Sequence, residues 1–356
     1  MINELKIGNT LVGKNHPVFI IAELSANHNQ QLDVALETVK AAKRCGANAI
    51  KLQTYTPDTI TLNSYRPEFK LTQGTIWDGK FLYDLYKEAY TPWEWHKTLF
   101  DAAISEGLEV FSSPFDLSAV DFLETLNAPA YKIASFEIND IPLIRKVAKL
   151  QKPIIISTGI ARPEDIELAL ETCFSEGNHQ VVLLKCTSSY PAPIEEANMV
   201  MIPDLTQRYQ VLSGLSDHTL GITVPVVATT LGACVIEKHF ILDRSIGGPD
   251  ASFSLDEKEF TAMVNAVREA EKAIGVVDYS LSQKQINSRE HSRSLFVTAN
   301  IQKGEEFSVH NIRSVRPANG LHTKYFDKIL GKKALKDLEF GEPLREEHIE
   351  GFSINE

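Results

Sequence analysis

Eight times between residue 19 and residue 275, a short run of β-branched and apolar residues is followed by a longer segment with helical spacing. The strand candidates are FIIAEL (19–24), AIKLQT (49–54), VFSSP (110–114), AYKIAS (130–135), PIIIST (153–158), VVLLKCT (181–187), VLSGLSD (211–217) and CVIEKHF (234–240). Among the helical segments, LDVALETVKAAKRCG (32–46) repeats apolar residues at steps of three and four and ends on glycine. PEDIELALETCFSEG (163–177) carries proline and acidic residues in its first turn, where the helix geometry and dipole favour them. LDEKEFTAMVNAVREAEKAIG (255–275) closes the series. Strand–helix units with no helix-only run point to an α/β fold, a parallel (β/α)₈ TIM barrel. A doubly wound open sheet is the alternative that the strand count leaves standing.

The chain is 356 residues long, enough for such a barrel and a modest second module. The pattern changes near residue 280. Residues 1–280 read as the barrel domain, 281–292 as a polar linker and 293–356 as a small β-rich domain. Within the last, NIQKGEEFSVHNI (300–312) and DLEFGEPLREEHI (337–349) share an apolar residue, Gly-Glu, a second apolar residue and a closing isoleucine. That repeat predicts internal symmetry in a compact unit, and it is too short for a solenoid. Residues 55–91 exceed an ordinary connection. They are read as a wall or lid of an active site, or as a surface excursion packing its own aromatics.

A net charge of −11 argues against a nucleic-acid partner. It leaves room for an anionic substrate on a local cluster of lysines. Cys45, Cys173, Cys186 and Cys234 form no C-x-x-C pair and read as small buried side chains in a reducing compartment. The first residues lack the apolar centre of a signal peptide, and the weakly polar stretch Val224–Ile236 is too short to span a bilayer. The expectation is a cytoplasmic protein with no membrane partner.

In a (β/α)₈ barrel, polar residues at the carboxyl ends of the strands line the active site. The expected strands end in Glu23, Lys51 and Gln53, Ser112 and Ser113, Lys132 with Ser135 and Glu137, Ser157, Lys185 with Ser188 and Tyr190, Ser216 and Asp217, and Glu237 to His239. Lysines in strands two, four, six and eight predict a converging set that needs an anion, because a buried ammonium is costly unless paired. Separate structural ion pairs are the alternative. His218 and His239 end adjacent strands, within reach of one divalent metal, although a structural pair fits the same spacing. GGPDASFS (247–254) offers Asp250 to sugar hydroxyls, or forms an ordinary turn. A Schiff-base aldolase built on Lys132 or Lys185 and a non-catalytic sugar-binding barrel are the rival functions.

The motifs IIAELSANHNQ, IKLQTYTPD, FSSPF, AYKIASFEIND, IISTGI, LLKCTSSYP, GLSDHT and VIEKHF occur in that order. Together they resemble the sialic acid synthase family over the whole chain. The tail, from RSLFVTANIQKGEEFS through SVRPANGLH to FGEPL, resembles the small antifreeze-like (SAF) domain of those enzymes. AELSANH, LQTYTPDTITLNS and WDGKFLYDLYKEAYTPWEWH are similar to the branch that forms pseudaminic acid from phosphoenolpyruvate and a diacetamido-trideoxy-altrose. N-acetylneuraminate and legionaminic acid formation are the neighbouring alternatives. The resemblance implies that His218 and His239 bind Mn2+ or Mg2+. It implies phosphoenolpyruvate contacts from Lys51, Ser113, Lys132, Ser135, Ser157, Ser216 and Ser188, the last standing where some relatives have asparagine. It further implies catalytic carboxylates at Glu23 and Glu137, and sugar contacts from Gln53, Tyr190 and Asp250. Arg316 matches an arginine that the tail contributes to a neighbouring subunit, which implies a domain-exchanged homodimer.

Overall fold

The computed structural model describes residues 2–72 and 74–354. The chain forms two compact units, Met1–Gly275 and Val276–Glu356. In the first, β1 (Glu4–Ile7) and β2 (Thr10–Gly13) make an antiparallel hairpin. Eight parallel strands follow: β3 (Phe19–Glu23), β4 (Ala49–Thr54), β5 (Glu109–Pro114), β6 (Tyr131–Ile133), β7 (Ile154–Ser157), β8 (Val181–Cys186), β9 (Leu212–Asp217) and β10 (Val235–His239). They pair in sequence order, and β10 closes onto β3 in register from Val235 opposite Phe19 to His239 opposite Glu23. That closing ladder excludes the open sheet. Every strand was legible as an apolar run, because both faces of a barrel strand are covered.

Side-chain alternation divides each strand between two environments. One set, including Ile20, Ile50, Val110, Ile133, Leu183 and Ile236, packs outward with the helices. The other set, including Phe19, Ala49, Phe111, Ile155, Val182 and Val235, fills the barrel interior. Leu5, Ile7 and Val12 of the hairpin join this interior cluster and plug the amino end. Asn9 N donates to Glu109 Oε1 at 2.8 Å, pinning the turn to the start of β5. This hairpin is not among the expected elements. Its signal is present, since the two alternating runs are joined by Gly8-Asn9, a two-residue turn sequence, and Gly8 has φ +56°.

The expected helices appear as Leu32–Arg44, Pro163–Ser175 and Glu257–Ile274. Asp256 caps the last by accepting from Glu259 N at 2.9 Å. Among the described residues, no helix is long and apolar enough to cross a membrane.

In the second unit, Gln283–Arg289 forms a short exposed helix within the polar stretch. β11 (Ser294–Val297) and β12 (Ile312–Val315) then pair antiparallel. The sequence repeat has a structural counterpart. Ile301 and Leu338 bridge each other with two 2.9 Å bonds across the unit. Each copy makes the same turn, with Glu305 accepting from Gln302 N at 2.9 Å and Glu342 from Glu339 N at 3.2 Å. Gly304 and Gly341 take φ +84° and +87° there, a conformation that glycine adopts without strain. The repeated apolar residues Phe307, Ile312, Leu344 and Ile349 fill its core.

Candidate active site at the barrel mouth

At the carboxyl end, the inward parity that carries Phe19, Ala49 and Phe111 lower down switches to polar side chains. Each barrel strand contributes one: Glu23, Lys51, Ser113, Lys132, Ser157, Cys186, Ser216 and Glu237. Exposure does not exceed 6% for any of them. Lys51 is ion-paired with Glu23 and lies 3.7 Å from Glu237 Oε1. It donates to Ser113 Oγ at 3.2 Å. Lys132 donates to Ser157 Oγ at 2.6 Å and lies 3.8 Å from the same Glu237 oxygen. Ser216 donates to that oxygen at 3.2 Å. Two ammonium groups and five hydroxyls or carboxylates from seven strands therefore meet in one buried ring.

The charges in this ring are held away from their ordinary behaviour. Burial pushes Glu23 up to about 7 against the pull of Lys51, with Glu237 acting in the same direction as burial. Burial opposes the charge on Lys51, but Glu23 and Glu237 more than offset it and the net direction is up. Burial also opposes Glu237, yet Lys132 and Lys51 hold it ionised. Lys132 is drawn down by burial despite Glu237. An arriving dianion would tip Glu23 toward its neutral form and leave both ammoniums facing the newcomer.

Not all the strand lysines converge. Lys238 has the outward parity and pairs with Asp217 at 2.5 Å on the helix side of the barrel. Lys185 also has outward parity, and its Nζ donates to Cys186 O at 2.8 Å. The four-lysine expectation is corrected to two. Ser112 likewise faces the helices and bonds Thr54 at 2.6 Å, while Thr54 bonds His96 at 2.9 Å. Glu237 was expected at its strand end but given no role, and Cys186 was missing from the expected mouth. Their parity with His239 and Leu184 was the available signal.

Above the ring, Ser135 and Glu137 sit on a 3₁₀ turn after β6, and Glu137 Oε2 is buried without a hydrogen-bond partner. Burial pushes Glu137 up to about 7, against Lys132. Gly159 explains how Ser135, Ser188 and Cys186 come close together. A Cβ there would stand 2.1 Å from Ser188 Oγ, 2.8 Å from Ser135 Oγ and 3.0 Å from Cys186 Sγ. Burial raises the Cys186 thiol, but His218, Ser135 and Lys132 more than offset it and bring it to about 7.

His218 and His239 lie with ring centroids 5.2 Å apart. His218 Nδ1 is 3.0 Å from Thr187 O, a contact in which the ring must donate, so its Nε2 keeps a lone pair when the ring is neutral. Burial first, then neighbouring cations, holds His239 neutral, and its buried Nδ1 has no hydrogen-bond partner. Asp250 Oδ2 is 3.8 Å from that nitrogen and accepts from Ser25 Oγ at 2.5 Å. Burial opposes the charge on His218, but Cys186 more than offsets it and the net direction is up. A divalent cation there would bind the neutral His239 through its orphan nitrogen and displace any extra proton from His218. Among the described residues, no His, Cys, Asp or Glu joins them in a cluster of three. Such a cation would keep positions open for water and substrate oxygens.

These groups open into a cavity of about 830 Å³. Gln53, Ser135, Glu137, Ser188, Tyr190, His239 and Asp250 line it. Residues 55–91 form one side of it, so the long excursion is a wall of the site. It also packs its own aromatics, with Tyr65 on Phe81 at 4.9 Å and Tyr55 on Tyr86 at 5.6 Å. Arg316 lies in the second unit, exposed, directly after β12.

The NeuB family matches residues 38–279, and the SAF domain matches residues 292–350. The chain belongs to the NeuB family of sialic acid synthases. It is 50% identical over 342 residues to the pseudaminic acid synthase of Campylobacter jejuni, covering 96% of this chain and 99% of that protein. It is 48% identical to the pseudaminic acid synthase of Helicobacter pylori, covering 94% and 98%. Among solved structures, N-acetylneuraminic acid synthetase from Leptospira borgpetersenii superposes with a TM-score of 0.71 at 30% identity, covering 80% of this chain and 94% of that one. The barrel and the tail of this NeuB-family chain thus answer the expected fold.

Proposed function

We propose that the protein is a pseudaminic acid synthase, condensing phosphoenolpyruvate with 2,4-diacetamido-2,4,6-trideoxy-L-altrose and water to give pseudaminic acid and phosphate. The observation that carries the chemistry is the buried ring in which Lys51 and Lys132 share Glu237 beneath the cavity. Identity near 50% to synthases of that name supports the choice of sugar. Phosphoenolpyruvate is a cytoplasmic metabolite, so this reading puts the enzyme in the cytoplasm.

Lys51, Lys132 and the hydroxyls of Ser113, Ser135, Ser157, Ser188 and Ser216 would bind the phosphate and carboxylate and fix the alkene carbon in place. Gln53, Tyr190 and Asp250 would hold the open-chain sugar with its aldehyde toward that carbon. The alkene carbon forms the new bond to the aldehyde carbon, whose oxygen takes a proton. Water adds to the resulting oxocarbenium carbon and loses a proton. The carbon–oxygen bond to phosphate then breaks. Glu23 and Glu137, both near neutral in affinity for a proton, suit these transfers. His218 and His239 would hold Mn2+ or Mg2+, which supplies Lewis-acid polarisation of a carbonyl oxygen. Arg316 is assigned to the neighbouring subunit's site in a domain-exchanged homodimer, on the SVRPANG resemblance.

One observation favours a different chemistry. Burial lowers Lys132, which is how a Schiff-base lysine is activated. The two readings separate in one assay of phosphate release from phosphoenolpyruvate across a panel of aldoses, with and without chelator. The synthase reading expects aldose-dependent phosphate release that chelator abolishes, and no adduct trapped by borohydride. Chelator-insensitive turnover with a trapped lysine would replace it with the aldolase.

A further inference from the structure

The far side of the cavity differs from its floor. Leu71, Trp77, Leu82, Leu85 and Tyr86 come from the excursion, and Phe253 from the turn after β10. Trp77 is held by contacts outside its own segment, including an edge-on approach to Phe253 at 6.4 Å. Its Nε1 donates to Pro249 O at 3.0 Å, and its ring lies 5.4 Å from Tyr190. The indole donor is thereby engaged by backbone and presents an apolar face to the cavity. Among the described lining residues there is no lysine or arginine, whereas Glu137 and Asp250 are both there.

We infer that this wall, with Trp77 as its fixed panel, selects an uncharged aldose whose far end carries methyl groups, and rejects sugars that carry a hydroxyl or phosphate at that end. This rests on the synthase reading of the floor. A methyl group loses water and gains dispersion contacts against such a wall. A hydroxyl loses its water without a partner. A phosphate dianion loses its water and meets no cation from this wall. The wall is a specificity determinant, distinct from the ring that performs the bond changes.

The test uses the full chain with Mn2+ and measures kcat/KM for phosphate release with three aldoses. These are 2,4-diacetamido-2,4,6-trideoxy-L-altrose, its 6-hydroxy counterpart and its 6-phosphate. The expected fall for the 6-hydroxy sugar is about 10- to 200-fold, the range for one group in an apolar pocket. The 6-phosphate should fall further. Trp77→Ala should shrink the 6-hydroxy ratio, and Trp77→Phe should keep it, because the ring and not the indole hydrogen bond does the selecting. Leu82→Lys should raise kcat/KM for the 6-phosphate at least tenfold relative to the parent, and it carries the test if Trp77→Ala does not fold. Equal kcat/KM for the three sugars overturns the inference while leaving the synthase reading intact. So do ratios that neither Trp77→Ala nor Leu82→Lys alters. No phosphate release with any aldose overturns the synthase reading and this inference with it.

Discussion

The two ends of the barrel interior are built by the same strands and the same side-chain parity, yet they have opposite physical character. At the amino end, Ile21, Ala49, Phe111, Ile155 and Val235 belong to one cluster with Leu5, Ile7 and Val12 of the hairpin. At the carboxyl end, the next inward positions are Glu23, Lys51, Ser113, Lys132, Ser157 and Glu237. The lower half loses water and gains contacts, so it stabilises the fold. The upper half buries charges whose mutual attraction offsets a large desolvation cost, and it leaves Glu137 Oε2, Glu237 Oε2 and His239 Nδ1 without hydrogen-bond partners. Two residues of extra strand length separate the part that holds the protein together from the part that is poised for chemistry.

The sharpest test is to damage each half alone. Phe111→Ala removes a fully buried ring from the lower half and should cost about 3–5 kcal/mol in a denaturant titration. The kcat/KM of the folded protein should stay near the parent value. Lys132→Met in the upper half should do the reverse. Loss of a preorganised donor of this kind lowers turnover by about 10²–10³-fold. The melting temperature should change little, because Glu237 keeps Lys51 at 3.7 Å and Ser216 at 3.2 Å. A Lys132→Met protein that unfolds but keeps its turnover would erase the division.

A smaller effect sharpens where the wall joins the barrel. His28 and His96 are buried near the two ends of the chain path that carries the excursion. His28 lies 3.2 Å from Thr91 Oγ1, and His96 lies 2.9 Å from Thr54 Oγ1. Burial pushes both down to about 4, helped at His28 by His96 and opposed at His96 by backbone carbonyls such as Pro92. The unfolded chain takes up these protons near pH 6.5, while the folded protein resists them until about 4. Their contribution to stability is therefore whole above pH 6.5 and is lost as pH falls toward 4. Urea midpoints should drop between pH 7 and pH 5, and His96→Asn should flatten that drop. A midpoint independent of pH in both proteins would show that these rings are not the acid-sensitive joint.

How much of this was legible depended on how local each signal is. All eight barrel strands were visible, since each is a continuous apolar run. The hairpin was overlooked although its alternating residues and Gly8-Asn9 turn are local. The floor was half legible. Glu23, Lys51, Lys132, Ser157 and Ser216 stood out as polar residues at strand ends. Lys185 and Lys238 looked equivalent and are not, because their parity turns them toward the helices. Glu237 stood at its strand end with no role of its own, although its parity is that of His239. The role of residues 55–91 was open, since nothing local says which way a long connection folds.

The sequence by itself determined the barrel, the symmetric turns at Gly304 and Gly341, and the membership of the mouth by residue type. These follow from period, turn chemistry and the order of short motifs. Only the tertiary structure decided which lysines meet, that Glu237 stands between Lys51 and Lys132, and that Trp77 closes the cavity against Pro249 and Tyr190. The reason is distance along the chain. Lys132 and Glu237 are 105 residues apart, and Trp77 and Pro249 are 172 apart. Closure of the barrel brings each pair together, and no local pattern encodes that closure.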